Sequence, residues 1–132
     1  MELLIPILLT FFLSSLLFNY LSLTSKKTAM EIVNQMGLGY NLGNSFDCID
    51  NSVKIENPND IITLCGNPIP TKNTIIALKK YGFKTIRFPI TWFYFMDELG
   101  KVKEEWMLRV KEVVDWIIKE NMYCIINVYN DG

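Results

Sequence analysis

The sequence predicts an α/β fold built on a parallel sheet, and three observations predict it. After residue 36, strand-like and helix-like segments follow the order strand, helix, strand, helix, strand. Only short links join each helix to the next strand, which calls for strands running the same way with right-handed crossovers. The stretch Tyr123 to Val128, YCIINV, is a nearly continuous apolar run, the pattern of a strand buried on both faces.

The chain opens with an apolar segment. From Leu3 to Leu23 no residue is charged, and at ~1.5 Å per helical residue this is just long enough to cross a hydrocarbon core of ~30 Å. Residues 1–25 therefore read as a signal peptide or membrane anchor, preceding a body over residues 26–132. The Met1-Glu2 start and the length favour an uncleaved anchor, while the small-residue site Ser22-Leu23-Thr24 keeps cleavage open. Lys26 and Lys27 follow the apolar stretch, and the positive-inside rule alone would hold the body in the cytoplasm.

In the body, Thr28 to Met36 reads as a short helix, and Gly39 to Leu42 as a brief buried strand. The glycines of GLGYNLGN (Gly37 to Asn44) do not make a dinucleotide fingerprint. Their spacing is GxGxxxG, and they follow a helix and lead into a loop rather than joining strand to helix. Residues 45–70 are rich in Asn, Asp and Pro with no clear period and read as a long loop. Thr71 is a good N-cap for a helix to Tyr81, with Ile75 and Leu78 at helical spacing and Gly82 as the left-handed stop. Lys84 to Phe88 is a β-branched strand closed by Pro89. Glu104 to Glu120 carries an apolar stripe of Trp106, Val110, Val113, Val114, Ile117 and Ile118, with acidic residues at its start, Lys119 near its end and Asn121 as terminator.

Composition removes several classes of function. Thirteen basic against fourteen acidic residues, with no basic block, offer no face for nucleic acid. No histidine is present, so Ser-His-Asp triads, Cys-His dyads and histidine-ligated zinc are excluded within this chain. Cys48, Cys65 and Cys124 show no CxxC spacing and leave one thiol over, so no thiolate metal site is indicated. A Cys48–Cys65 bridge is open to the chain if the body is exported; the plainer reading is three ordinary thiols, with Cys124 a small hydrophobe buried in its strand.

Parallel sheets gather ligands at the carboxyl ends of their strands. This rule points to Asn44, to Arg87 through Trp92, and to Tyr129-Asn130-Asp131-Gly132. Each has a plainer reading: Asn44 caps a turn, Arg87 pairs with a structural carboxylate, Trp92 plugs a loop. Arg87 is the least bland, because burying a guanidinium at a strand end is costly unless a partner meets it.

Three ordered segments carry a family resemblance: QMGLGYNLGNSFD (Gln35 to Asp47), CGNPIPTKNTIIALKKYGFKTIRFPITW (Cys65 to Trp92) and WMLRVKEVVDWIIKENMYCIINVYNDG (Trp106 to Gly132). Together they resemble the start of glycoside hydrolase family 5, the cellulases. The resemblance implies a (β/α)8 barrel, which takes ~250 residues, of which this chain would supply about the first three βα units after its apolar N-terminal helix. It implies hydrolysis of β-1,4-glucosidic bonds in cellulose or related β-glucans with retention, by two Glu side chains about 5 Å apart, and no cofactor. In the family those Glu residues end the fourth and seventh strands, so the chain alone would be an inactive fragment, and its own Glu residues are not promoted to that role. Arg87 matches the family arginine that keeps the nucleophile ionised; Asn44 and Trp92 fall on the substrate-facing rim, and Tyr129 and Asn130 are expected to bind substrate with them. Where the family has His-His-Asp, this sequence has Tyr129-Asn130-Asp131, and a tyrosine cannot carry a proton at neutral pH as imidazole does. The expected partner is a β-glucan polysaccharide or oligosaccharide, and the expected location is secreted or membrane-anchored through Leu3 to Leu23, with the body extracellular. The alternative is a non-catalytic, membrane-tethered glycan-binding or interaction remnant.

Overall fold

The structure, a computed structural model, describes residues 14–15 and 27–129. The expected apolar N-terminal helix and Asn130 therefore lie outside the described residues. Among the described residues, no helix is long and apolar enough to cross a membrane. The chain divides into two compact units, Met1–Ile32 and Val33–Gly132. In the first, Thr28 and Glu31 cap the start of α1 (Ala29–Met36): the Thr28 backbone N–H donates to Glu31 Oε2 at 2.7 Å, and the Glu31 N–H to Thr28 Oγ1 at 3.3 Å. That backbone donor, helped by the Thr28 hydroxyl, holds the Glu31 carboxyl below its ordinary range.

The second unit is organised around β2 (Thr85–Ile90), which lies between β1 (Gly39–Asn41) and β3 (Tyr123–Val128) in a wholly parallel sheet. Tyr40, Ile86 and Cys124 share one row across the sheet, and Asn41, Arg87 and Ile125 the next. Side chains alternate between faces along a strand, so one face of β2 carries Ile86, Phe88 and Ile90, all fully buried, and the other carries Thr85, Arg87 and Pro89.

Two helices cover the buried face. α3 (Lys72–Lys80) begins at Thr71, whose hydroxyl accepts from the Thr74 N–H at 3.3 Å, and stops at Gly82 with φ 92°. α4 (Glu104–Lys119) buries Trp106, Val110, Val113 and Ile117 and ends at Asn121 with φ 53°. The expected stripe is narrower than the sequence suggests: Ile118 is exposed and Val114 only half-buried, because four positions at helical spacing suffice to meet the sheet.

Four expectations are corrected. Residues 45–70 are not all loop, since α2 (Pro58–Leu64) stands among them. Asn57 caps it by accepting from the Asn59 N–H at 3.0 Å, Pro58 opens it, and Asp60 reaches back to the Asn57 N–H at 2.9 Å. β1 is exposed rather than buried, and β3 carries exposed Ile125, Ile126 and Val128, because each is flanked by β2 alone among the described residues. Cys124, on β3, is accordingly half-buried rather than a core residue. Finally, β2 does not stop before Pro89 but runs through it to Ile90. Proline lacks a donor and is normally barred from central strands. Thr85 donates to Leu38 and the Arg87 carbonyl accepts from Leu42, so this set of residues bonds towards β1; the Lys84 and Ile90 carbonyls accept from Tyr123 and Tyr129 on the β3 side. Pro89 belongs to the first set, and β1 has already ended at Asn41 on that side, so no ladder bond is lost.

Candidate active site

The loops that leave the carboxyl ends of β1 and β2 are held by one aromatic cluster. Phe46, after β1, stacks on Trp106 of α4 with ring centroids 5.1 Å apart, and Phe95, in the short 3-10 turn Phe93–Phe95 after β2, stacks on the same indole at 4.5 Å. Phe46 also meets Phe88 edge-on at 4.8 Å. The Arg109 guanidinium lies 5.6 Å from the Phe46 ring and 5.4 Å from Trp116, and it donates to the Pro70 carbonyl at 3.3 Å. A Cys48–Cys65 disulfide, with Cα atoms 6.0 Å apart, ties the β1 loop to the end of α2, so the bridged reading of these cysteines is the one realised. Two residues on, the Asn67 amide donates to the Asn44 carbonyl at 3.0 Å, and Tyr94 accepts from the Asp50 N–H at 3.1 Å.

Between these loops, on the face of the sheet opposite the core, stands Arg87. Its Nη1 donates to Asn41 Oδ1 at 2.6 Å and its Nη2 to Asn127 Oδ1 at 2.5 Å. The Tyr129 ring centroid lies 5.7 Å from its Cζ. Sequence reasoning expects a carboxylate as the structural partner; among the described residues two amide oxygens take that place instead. Hydrogen bonds from a charged donor contribute about 1.5–3 kcal/mol each, which offsets part of the cost of half-burying the guanidinium.

Of the residues singled out from sequence, Arg87 and Tyr129 are brought together. Tyr129 is anchored through its backbone: its N–H donates to the Ile90 carbonyl at 3.0 Å, and its carbonyl accepts from the buried Thr91 hydroxyl at 3.0 Å. Asn44 is exposed in the turn after β1, with φ 56°, a left-handed conformation that asparagine tolerates better than most side chains. Trp92 stands two residues beyond the end of β2 and packs half-buried against the core. Asn41 and Asn127 are the residues that sequence reasoning missed. Each is an amide inside a strand, and only the register between strands puts it on the Arg87 face.

A cleft of ≈ 400 Å³ opens on the other side of β1, lined by Tyr40, Leu42, Ser45, Asn67, Pro70 and Thr74 among others, but not by Arg87 or Tyr129. Burial pushes the Cys124 thiol up to about 11, which disfavours the thiolate at neutral pH. Among the described residues, no cluster of His, Cys, Asp and Glu could hold a metal ion. What remains is a fixed, partly exposed positive charge midway along the central strand, on the face opposite the core. It is suited to holding an anionic side chain or a developing negative charge.

Comparison with known proteins gives this arrangement a context. The family model described as "Cellulase (glycosyl hydrolase family 5)" matches residues 44–132. Endoglucanase A of Clostridium longisporum is 46% identical over 109 residues, which are 82% of this chain and 21% of that protein. The structure of a broad specificity endoglucanase from an uncultured bovine rumen ciliate is 60% identical, with a TM-score of 0.79, over 81% of this chain and 30% of that one. A broad specificity endoglucanase from Ruminococcus champanellensis, solved with bound cellotriose, is 33% identical with a TM-score of 0.77, over 82% of this chain and 32% of that one. The chain thus spans about a fifth to a third of these relatives. Its parallel sheet and helices correspond to part of their (β/α)8 fold. A match over most of the sequence, carried into three dimensions by enzymes of one kind, leads to a single assignment: the chain belongs to glycoside hydrolase family 5, the cellulases.

Proposed function

We propose that this chain supplies the first part of the catalytic barrel of a retaining β-1,4-glucanase. Arg87 and Tyr129 form part of its glucan cleft, with Asn44 and Trp92 on the rim, and Asn130 contributes to substrate binding as the family pattern implies. The observation that carries this reading is the Arg87 guanidinium, fixed midway along β2 and turned to the open face of the sheet. Beside a carboxylate, such a charge favours the ionised form and keeps a nucleophile ready to attack. The Tyr129 hydroxyl can donate to a sugar hydroxyl, although it cannot replace imidazole as a proton carrier at neutral pH.

The two Glu residues of the reaction belong, by the family pattern, to the fourth and seventh strands, so the 132-residue chain binds glucan without cutting it. Replacement of the family His-His by Tyr129-Asn130 favours a second reading, a non-catalytic glycan binder tethered through Leu3 to Leu23. The Cys48–Cys65 bridge supports an oxidising compartment, and hence a secreted or membrane-anchored protein with its body outside the cell.

Titrating cellotriose into the chain, with nuclear magnetic resonance of Tyr129 and Arg87 and a parallel assay for new reducing ends, tests the proposal. We expect both signals to shift, the Tyr129 shift to vanish in Arg87→Ala, and no new reducing ends. Unshifted signals in the folded chain would remove the glucan-cleft reading. Release of sugar would remove the division of labour between this chain and the Glu-bearing strands.

A further inference from the structure

We propose that Asn41 and Asn127 are positioning residues that set the plane of the Arg87 guanidinium while leaving its charge uncancelled. The inference deepens the reading above and rests on it for the role of Arg87.

The two amides come from the two strands flanking Arg87, and they engage its two different terminal nitrogens, Asn41 at 2.6 Å and Asn127 at 2.5 Å. Holding both nitrogens opposes rotation about Nε–Cζ and tilting about Cδ–Nε together, which a single partner could not do. Chemistry decides which way each amide faces: a guanidinium has only donors, so each asparagine must present its oxygen.

Both amides are themselves constrained. The Asn127 Nδ2 donates to the Val128 carbonyl at 2.5 Å. The Asn41 Nδ2 occupies the space beside Gly43, where an added Cβ would lie 2.5 Å away. Gly43 is therefore the residue that makes room for the Asn41 amide, two positions along the same chain.

Neutral partners also have a chemical consequence. A carboxylate at either position would hold the guanidinium as firmly but cancel its charge, leaving little for an anionic side chain in the cleft. Amide oxygens fix the direction of the donors and leave the full positive charge. Among the described residues, no carboxylate forms an ion pair with Arg87.

The test follows the Arg87 side chain in the full 132-residue chain by nitrogen-detected magnetic resonance of its guanidinium. In the unsubstituted chain, the Nη groups should give separate, slowly exchanging signals. Asn41→Ala or Asn127→Ala should speed rotation about Nε–Cζ by about tenfold, the order expected from losing one charged hydrogen bond. Asn41→Asp and Asn127→Asp, which keep an oxygen in place, should restore slow rotation. Backbone signals of α4 should stay put in all four. Should an alanine variant fail to fold, Gly43→Ala gives an independent route: it keeps both amides in the sequence, displaces that of Asn41 and should loosen Arg87 likewise. Rotation that stays slow in a folded alanine variant, or that stays fast in the aspartate variants, overturns the inference. A cellotriose titration separates this from the glucan reading. A clamp that loosens and recovers as described, in a chain whose Arg87 signals never respond to cellotriose, upholds the clamp and removes the cleft.

Discussion

The two faces of one three-stranded sheet are built on opposite principles. On one, Ile86, Phe88 and Ile90 are fully buried beneath α3 and α4, and nearly every neighbour is apolar. On the other, Arg87, Asn41, Asn127 and Tyr129 meet through directed polar and ring contacts and remain partly open. The first face is tolerant in direction and strict in volume; the second is strict in direction and contributes little to stability. Because the strands are shared, the polar face inherits its geometry from the packed one.

Trp106→Ala should break that comparison most completely. The indole is fully buried and stacks on Phe46 and Phe95, so its loss removes the anchor of both loops. A cost of about 3–5 kcal/mol is expected, a large part of the ~5–15 kcal/mol that holds a typical domain together. Urea unfolding should lose its cooperative transition or shift strongly to lower denaturant, and the guanidinium signals of Arg87 should collapse with it.

Reducing the Cys48–Cys65 bridge should come next. The cysteines are 17 residues apart, and freeing a loop of that size costs about 3 kcal/mol on chain-entropy grounds. The thermal midpoint should fall on adding reductant, with proteolytic sensitivity rising first between residues 49 and 57. A midpoint unmoved by reductant would show that aromatic packing alone secures the β1 loop.

Arg87→Met should sharpen the contrast from the other side. It strips the polar face of its centre yet should cost only about 1 kcal/mol, because the two charged hydrogen bonds it loses are largely offset by relief from half-burying the guanidinium, and their acceptors can turn to water. A shift in the unfolding midpoint as large as that of Trp106→Ala would mean that the clamp is part of what holds the sheet.

The smallest effect is one of pH. Asp60 accepts from the Asn57 and Glu56 backbone N–H groups at 2.9 Å each, and these bonds hold its carboxyl below the ordinary value of 3.8. A carboxyl depressed in the folded state contributes above its unfolded value, and the contribution is lost as pH falls through the lower folded value. The Asn57 and Glu56 amide signals should therefore stay constant down to about pH 4 and move only below it, and Asp60→Asn should flatten that acid limb.

How far the sequence disclosed this molecule depended on whether a signal was local. The helices with a clean apolar stripe, Lys72–Lys80 and Glu104–Lys119, were legible within a residue or two, stops at Gly82 and Asn121 included. The Pro58–Leu64 helix was missed although Asn57, Pro58 and Asp60 spell an N-terminus, because seven residues are too few to establish a period against a polar background. Burial of β1 and β3 was overestimated because an apolar run reports what a strand would bury, not what stands beside it. At the site, Tyr129 follows from the rule about strand ends, whereas Arg87 fits that rule only if the strand closes before Pro89, which it does not. Asn41 and Asn127 were passed over because their significance lies in register, and pairing 41 with 87 and 89 with 127 is fixed only once the sheet has formed.

Pro89 has a further consequence, for the route by which the chain reaches this register. Sliding β2 by two residues against β1 would preserve the in-and-out alternation, so hydrophobic burial alone does not forbid it. Such a slip would bring Pro89 opposite Asn41, where Arg87 now stands, and put a residue without an N–H inside the ladder. The imide thus costs nothing in the native alignment and penalises one of the two nearest wrong ones.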